Sequence, residues 1–161
     1  MKIKMKCIKQ YNIIFLLLVM LIPRGSFASN GICAHSNEEN AINTKALQSE
    51  LMVAALSCNM QNQYNSFIQR FRSQISSHEE LVKSYFSRIY KKNSDSRLNN
   101  FITHLANESS KRSLIVSSQQ FCKQSSYLFN TLLTMPEQNI SQISSEKQFV
   151  SLHNVPKCRE Q

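Results

Sequence analysis

Tyr64-Asn65-Ser66-Phe67-Ile68-Gln69-Arg70-Phe71-Arg72-Ser73-Gln74-Ile75 is the stretch that decides the fold. Tyr64, Phe67, Ile68, Phe71 and Ile75 recur at i, i+3, i+4, i+7 and i+11, which lines them up along one face of an α-helix. A half-buried strand needs alternation with a period of two, and this stretch has none. Leu81, Val82, Tyr85, Phe86 and Ile89 continue the stripe. Ser76, Ser77 and Glu80 offer a cap for a fresh helix. Ile75 and Val82 are seven residues apart, however, so the stripe stays in phase across the serines. The spacing predicts one long helix from Gln61 to about Tyr90, with room for a bend.

The same period appears on both sides. Upstream, Leu47, Leu51, Ala54, Ala55 and Cys58 predict a helix over 40–58, with Ser36 and Glu39 as a capping box ahead of it. Downstream, Lys91-Lys92-Asn93-Ser94-Asp95-Ser96 reads as a loop rich in N-cap residues. Leu98, Phe101, Ile102, Leu105, Ala106 and Ser109 mark the next helix. Phe121, Cys122, Ser125, Leu128, Phe129 and Leu132 mark another, ended by Pro136. The tail from Glu137 is rich in Ser and Gln, and a weak apolar spacing at Ile140, Ile143, Phe149 and Val150 suits a short packed helix. After residue 28 the only glycine is Gly31 and the only prolines are Pro136 and Pro156. Hairpin turns and Gly-rich phosphate loops therefore lack their usual material. The expected fold class is all-α, a small helical bundle of four to five amphipathic helices, with a helical domain over 29–136 and a tail over 137–161.

The N-terminus reads as an export leader. Lys2, Lys4, Lys6 and Lys9 precede the unbroken apolar run Ile13–Ile22, and Ser26-Phe27-Ala28 supplies small residues for cleavage after Ala28. The competing reading, a retained anchor, must contend with a run of 10 residues against the roughly 20 that a spanning helix needs. Cleavage leaves 133 of the 161 residues and removes Lys2, Lys4, Lys6, Lys9 and Arg24, so 14 basic residues then face 10 acidic ones. That balance is too mild for the basic patch of a nucleic-acid binder. Export without a stable transmembrane anchor implies the periplasm or the extracellular space.

Four cysteines remain after cleavage: Cys33, Cys58, Cys122 and Cys158. An even count in an exported chain reads as two disulfides, of which three connectivities are possible. Cys58–Cys122 with Cys33–Cys158 is the favoured map, because the first would join two helices and the second would tie down both ends. No CxxC pair exists, and the spacings match no zinc-finger pattern.

Each candidate for chemistry has a plainer reading beside it. His104 and Glu108 stand at i, i+4, where they could share a proton or a metal, but such pairs are common on exposed helix faces. His78-Glu79 begins a metalloprotease HExxH, yet Val82 occupies the second histidine's place. Arg88, Lys91, Lys92 and Arg97, with Lys111 and Arg112, could meet an anionic partner or simply be solvated helix ends. The serine pairs at 109–110, 117–118, 125–126 and 144–145 have no GxSxG frame and read as surface or capping residues. Asn107 and Asn139 fit the glycosylation sequon by chance. The aromatic residues from Tyr64 to Phe86 are first of all a core, and second the raw material of a ligand cavity. No catalytic residue, metal site or cofactor is assigned.

Ala46–Cys58 followed by Tyr64-Asn65-Ser66-Phe67, and Leu105-Ala106-Asn107-Glu108 followed by Phe121-Cys122, resemble small exported helical proteins of Gram-negative bacteria with no assigned function. The resemblance spans residues 46–133. It implies a periplasmic location and places Cys58 and Cys122 in a shared core; it implies no activity. The expected function is a non-enzymatic exported binding or assembly protein acting on another macromolecule, most simply a protein. The alternatives are a carrier holding a small hydrophobic ligand among the aromatic residues, and a secreted factor acting on a host or competitor cell.

Overall fold

The computed structural model describes residues 32–137 and 140–159, all within the second of the chain's two compact units, Gly31–Gln161. The leader, its cleavage point and Asn139 lie outside the described residues. The described residues form an all-α bundle: α1 Ser36–Ser57, α2 Gln61–Arg70, α3 Arg72–Tyr90, a 3-10 turn Lys91–Asn93, α4 Ser94–Ile115, α5 Ser118–Thr134, α6 Ile140–Ser144 and α7 Lys147–Val150.

The first helix departs from expectation. It is not amphipathic; it is the axis of the bundle and touches all six other helices. Ala41, Ile42, Ala46, Leu47, Leu51, Val53, Ala54 and Ala55 are buried around its circumference, as a helix apolar on every side must be. Its alanines let neighbouring helices approach from several directions. It also starts four residues earlier than expected. The cap is His35, whose backbone N–H donates to Glu38 Oε2 at 2.9 Å, one residue ahead of the anticipated Ser36 and Glu39. At its other end Met60 N–H donates to the Ala55 carbonyl (3.0 Å), with Asn59 left-handed at φ 54°. This is a Schellman stop built on asparagine instead of glycine.

The long second helix is interrupted at Phe71 (φ −99°, ψ 15°), not at the serines. Phe71 N–H still reaches the Phe67 carbonyl (3.0 Å) and Ile75 N–H the Phe71 carbonyl (2.8 Å), so the apolar stripe keeps its phase through the bend. Around the bend, Arg70 donates to the Met135 carbonyl (2.7 Å) and Gln74 to the Glu137 carbonyl (2.8 Å), tying down the chain that leaves α5.

The stripe is shared between two cores, and the change falls after the bend, between Ile75 and Val82. Phe67, Phe71 and Ile75 join Leu47, Leu51, Leu105, Phe121, Phe129 and Phe149 in the larger one. Val82, Tyr85 and Phe86 join Ala34, Ala41 and Ile42 in the smaller. Each fully buried phenylalanine contributes roughly 1.5–3 kcal/mol relative to exposure. The tail is part of the domain: Ile140, Phe149 and Leu152 belong to the larger core, the first two on two short helices where one was expected and Leu152 in the turn that follows. Ser109, Ser125 and Ser144 are also buried, contrary to their surface reading, and Ser144 Oγ lies 3.3 Å from Thr44 Oγ1 of α1. A small hydroxyl side chain lets helices close up where a larger residue would hold them apart.

Two disulfides brace the bundle, Cys58–Cys122 and Cys33–Cys158, which is the favoured map. The second joins the ends of the described chain, where Ala34 N–H donates to the Pro156 carbonyl (2.8 Å) and Cys158 N–H to the Ala34 carbonyl (2.9 Å). No helix among the described residues is long and apolar enough to cross a membrane.

Candidate functional site

The expected loop at 91–96 shrinks to the 3-10 turn, with Lys91 left-handed (φ 48°), and α4 begins at Ser94. That tight corner folds α4 back along α3, and the smaller core fills the angle between them. One side of this core stays open as a cleft of about 380 Å³. Tyr85, Phe86 and Tyr90 of α3 line it on one side; Arg97, Asn100, Phe101 and His104 of α4 line it on another; residues 153–156 close a third.

The aromatic lining is continuous. Phe86 packs against Tyr85 (ring centroids 5.2 Å apart, edge to face), Tyr90 (5.7 Å, stacked) and Phe101 (5.2 Å, tilted). Tyr85 is committed to the fold: its hydroxyl donates to the Ile32 carbonyl at 2.9 Å, and burial, with Tyr90 beside it, pushes the phenol up to about 12. Arg97, Asn100, Phe101 and His104 stand at i, i+3, i+4 and i+7, one face of α4. The Arg97 guanidinium lies 5.3 Å from the Tyr90 ring centroid. Among the described residues, no aspartate or glutamate lines the cleft.

The tail wall is held by a buried histidine. His153 Nδ1 accepts from the Val155 N–H (3.1 Å), which leaves Nε2 to donate to Asn43 Oδ1 of α1 (2.7 Å). Both ring nitrogens are thus used in a neutral imidazole. Burial lowers the His153 pKa, against an opposing pull from Glu39. Since the folded pKa lies below the unfolded value of about 6.5, the stability that depends on a neutral ring is complete above that pH. It is lost as pH falls from there towards the folded pKa. Glu50 works in the opposite sense, because burial raises its carboxyl to about 6 despite the Arg112 charge. Stability is therefore expected to decline on acidification below about pH 6.5 more steeply in the native chain than in His153→Gln, the comparison cancelling the shared Glu50 contribution. Thermal unfolding of both between pH 7 and 5, with an NMR titration of the His153 ring, checks this; parallel curves would refute it.

The sequence candidates fare differently. His104 lines the cleft, but Glu108 sits 4.0 Å from Lys111, and no hydrogen bond joins His104 to Glu108 among the described residues. Half-buried His78 has its pKa lowered by burial, while Glu79 pairs with Lys45 (2.9 Å). Three of the basic residues have separate partners. Arg88 is bound to Glu38 (Nε–Oε1 3.0 Å) and to the Cys33 carbonyl, Arg112 to Glu50, and Arg97 rests on Tyr90. No group of three or more metal-ligating side chains occurs among the described residues. Sequence reasoning had Arg97, Phe101 and His104 in three separate roles; their shared face with Asn100 was the signal that would have joined them. The chain matches no family model, no curated protein and no solved structure.

Proposed function

We propose that this is an exported, disulfide-braced binding protein that acts without catalysis, in the periplasm or outside the cell, by docking a segment of another protein in the cleft between α3, α4 and the tail. The single observation that carries the reading is the cleft itself, with its continuous aromatic lining and the row of polar side chains on α4. Export is supported by the basic, apolar and small-residue order of the first 28 residues and by two disulfides, which persist in oxidising compartments. A protein segment suits this site better than a free lipid, because carrier pockets enclose most of their ligand's surface and this cleft is open along one side. The fully buried Phe67 and Phe71 fill the core with their own contacts, whereas Tyr90 and Phe101 of the cleft are only partly buried.

The test is a photo-crosslinking amino acid placed at Asn100, in the cleft, and in a second variant at exposed Lys123 on α5. In cells that export the full chain, a discrete crosslinked product is expected from position 100 and not from 123. Crosslinking that is equal from both positions, or absent from position 100, would remove the cleft as the docking site. A crosslink to lipid or another small molecule from position 100 would favour the carrier.

A further inference from the structure

We infer that the segment docked in this cleft presents a carboxylate side chain beside bulky apolar ones, with Arg97 as the residue that reads the carboxylate. The inference rests on the cleft being the docking site and goes beyond it by naming the chemistry of the occupant. Its basis is the way Arg97 is held. A guanidinium stacked over an aromatic ring uses its π face, and its N–H donors, which lie in the guanidinium plane, remain available at the edge. The contact with Tyr90, with the guanidinium carbon 5.3 Å from the ring centroid, therefore holds the group in place without drawing its donors into an ion pair. Arg88 and Arg112 spend their donors on Glu38 and Glu50. No ion pair engages Arg97 among the described residues, and the cleft has no acidic residue of its own to neutralise it. A carboxylate from a partner supplies the matching group, in the bidentate geometry that favours arginine over lysine.

The surroundings define the rest of the occupant. The partly buried Tyr90 and Phe101 offer an apolar surface beside Arg97, with Phe86 packed beneath them, so the residues flanking the carboxylate are apolar. Asn100 and His104 follow Arg97 along the same face, and seven helical residues cover about 10.5 Å. An extended segment covers that length in about three residues. The two polar side chains can thus hydrogen-bond backbone groups one to three residues from the carboxylate.

The experiment uses the full, oxidised chain immobilised on a support and two pools of blocked pentapeptides. Both pools are randomised over leucine, isoleucine, phenylalanine and tyrosine at four positions. One has aspartate at its centre and the other asparagine. The aspartate pool is expected to be retained at least about tenfold more strongly, the scale of a hydrogen-bonded charge pair. Arg97→Gln should abolish the preference, and Arg97→Lys should restore only part of it. Arg97→Glu should transfer the preference to a third pool, built in the same way but centred on lysine. Arg97 is exposed, so these variants are expected to keep the native circular dichroism and unfolding midpoint. Equal retention of both pools, retention of neither, or a preference that survives Arg97→Gln would overturn the inference. Crosslinking from position 100 without an aspartate preference would overturn the ligand chemistry alone; loss of that crosslink would overturn the docking site itself.

Discussion

The double variant Cys58→Ala, Cys122→Ala is expected to lose about 4 kcal/mol of stability. The bridge closes a loop with a sequence separation of 64 and joins the end of α1 to the start of α5, beside the larger core. Opening it returns loop-closure entropy to the unfolded chain while the native contacts of α1 and α5 still hold both partners in place. A domain of this size has a net stability of roughly 5–15 kcal/mol, so the loss is a large share of the whole. The Cys33–Cys158 bridge closes a longer loop, with a separation of 125, for which chain entropy alone gives about 5 kcal/mol. Its removal is nevertheless expected to cost less than that of Cys58–Cys122. The freed ends are held by two backbone hydrogen bonds and the rim pairs Lys157–Glu39 and Arg88–Cys33, and they can fray without disturbing the larger core. Urea unfolding of the two double variants decides the order. An equal or larger loss from the Cys33–Cys158 pair would mean that the tail closure, not the α1–α5 bridge, holds the bundle together. Since residues 153–156 form one wall of the cleft, a smaller but real loss there should be accompanied by weaker crosslinking from position 100.

Arg112→Met is expected to cost about 3–5 kcal/mol at pH 8, and markedly less at pH 5. Glu50 is buried in the axial helix, with Arg112 Nη1 3.0 Å from its Oε2; the same guanidinium donates to Gln148 Oε1 at 2.7 Å. One arginine on α4 thus neutralises a carboxylate on α1 and clamps α7 over both. Burial already raises the Glu50 carboxyl to about 6, with Arg112 pulling it down. Removing the arginine lifts the folded pKa further above the unfolded value, so at pH 8 the chain must either bury an uncompensated carboxylate or take up a proton. At pH 5 the folded carboxyl is largely protonated with or without Arg112, and the electrostatic part of the loss disappears. Only the contacts to Gln148 and the guanidinium packing remain lost. The double variant Glu50→Leu, Arg112→Met should recover most of the stability at pH 8, because an apolar pair of similar volume removes the desolvation cost. Unfolding free energies at the two pH values test this. A penalty independent of pH would show that Arg112 stabilises by packing alone.

Much of this architecture is legible in the sequence. The stripe from Tyr64 to Ile89 could belong only to a helix, and the scarcity of glycine and proline left little material for anything but a bundle. The parity of the cysteines pointed to two bridges, and the map that joins helix to helix and end to end is the one formed. The places where the chain turns were harder to read for the same compositional reason. With no glycine among the described residues, the left-handed positions fall to Asn59, Lys91, Ser117 and Asn154, residue types that also occur throughout the helices. Nothing local marks Phe71 as a bend. What flanks it is tertiary: Arg70 and Gln74, on either side, grip the chain after α5.

The sequence by itself determined the helical period, the apolar faces of α2 to α5 and the pairing chemistry of the cysteines, because each depends on spacing along the chain or on simple counting. Tertiary structure alone decided that α1 is the axis, since its small and apolar residues suit burial on every side only once six other helices surround it. It also decided which charges are spent and which are left over. Arg88, Arg97 and Arg112 look alike in sequence; two meet carboxylates brought from 50 and 62 residues away, and the third meets a tyrosine ring beside an open cleft. Electrostatic pairing acts through space, over distances that the order of residues does not encode, so the cleft and its one uncommitted guanidinium emerged only when the chain was folded.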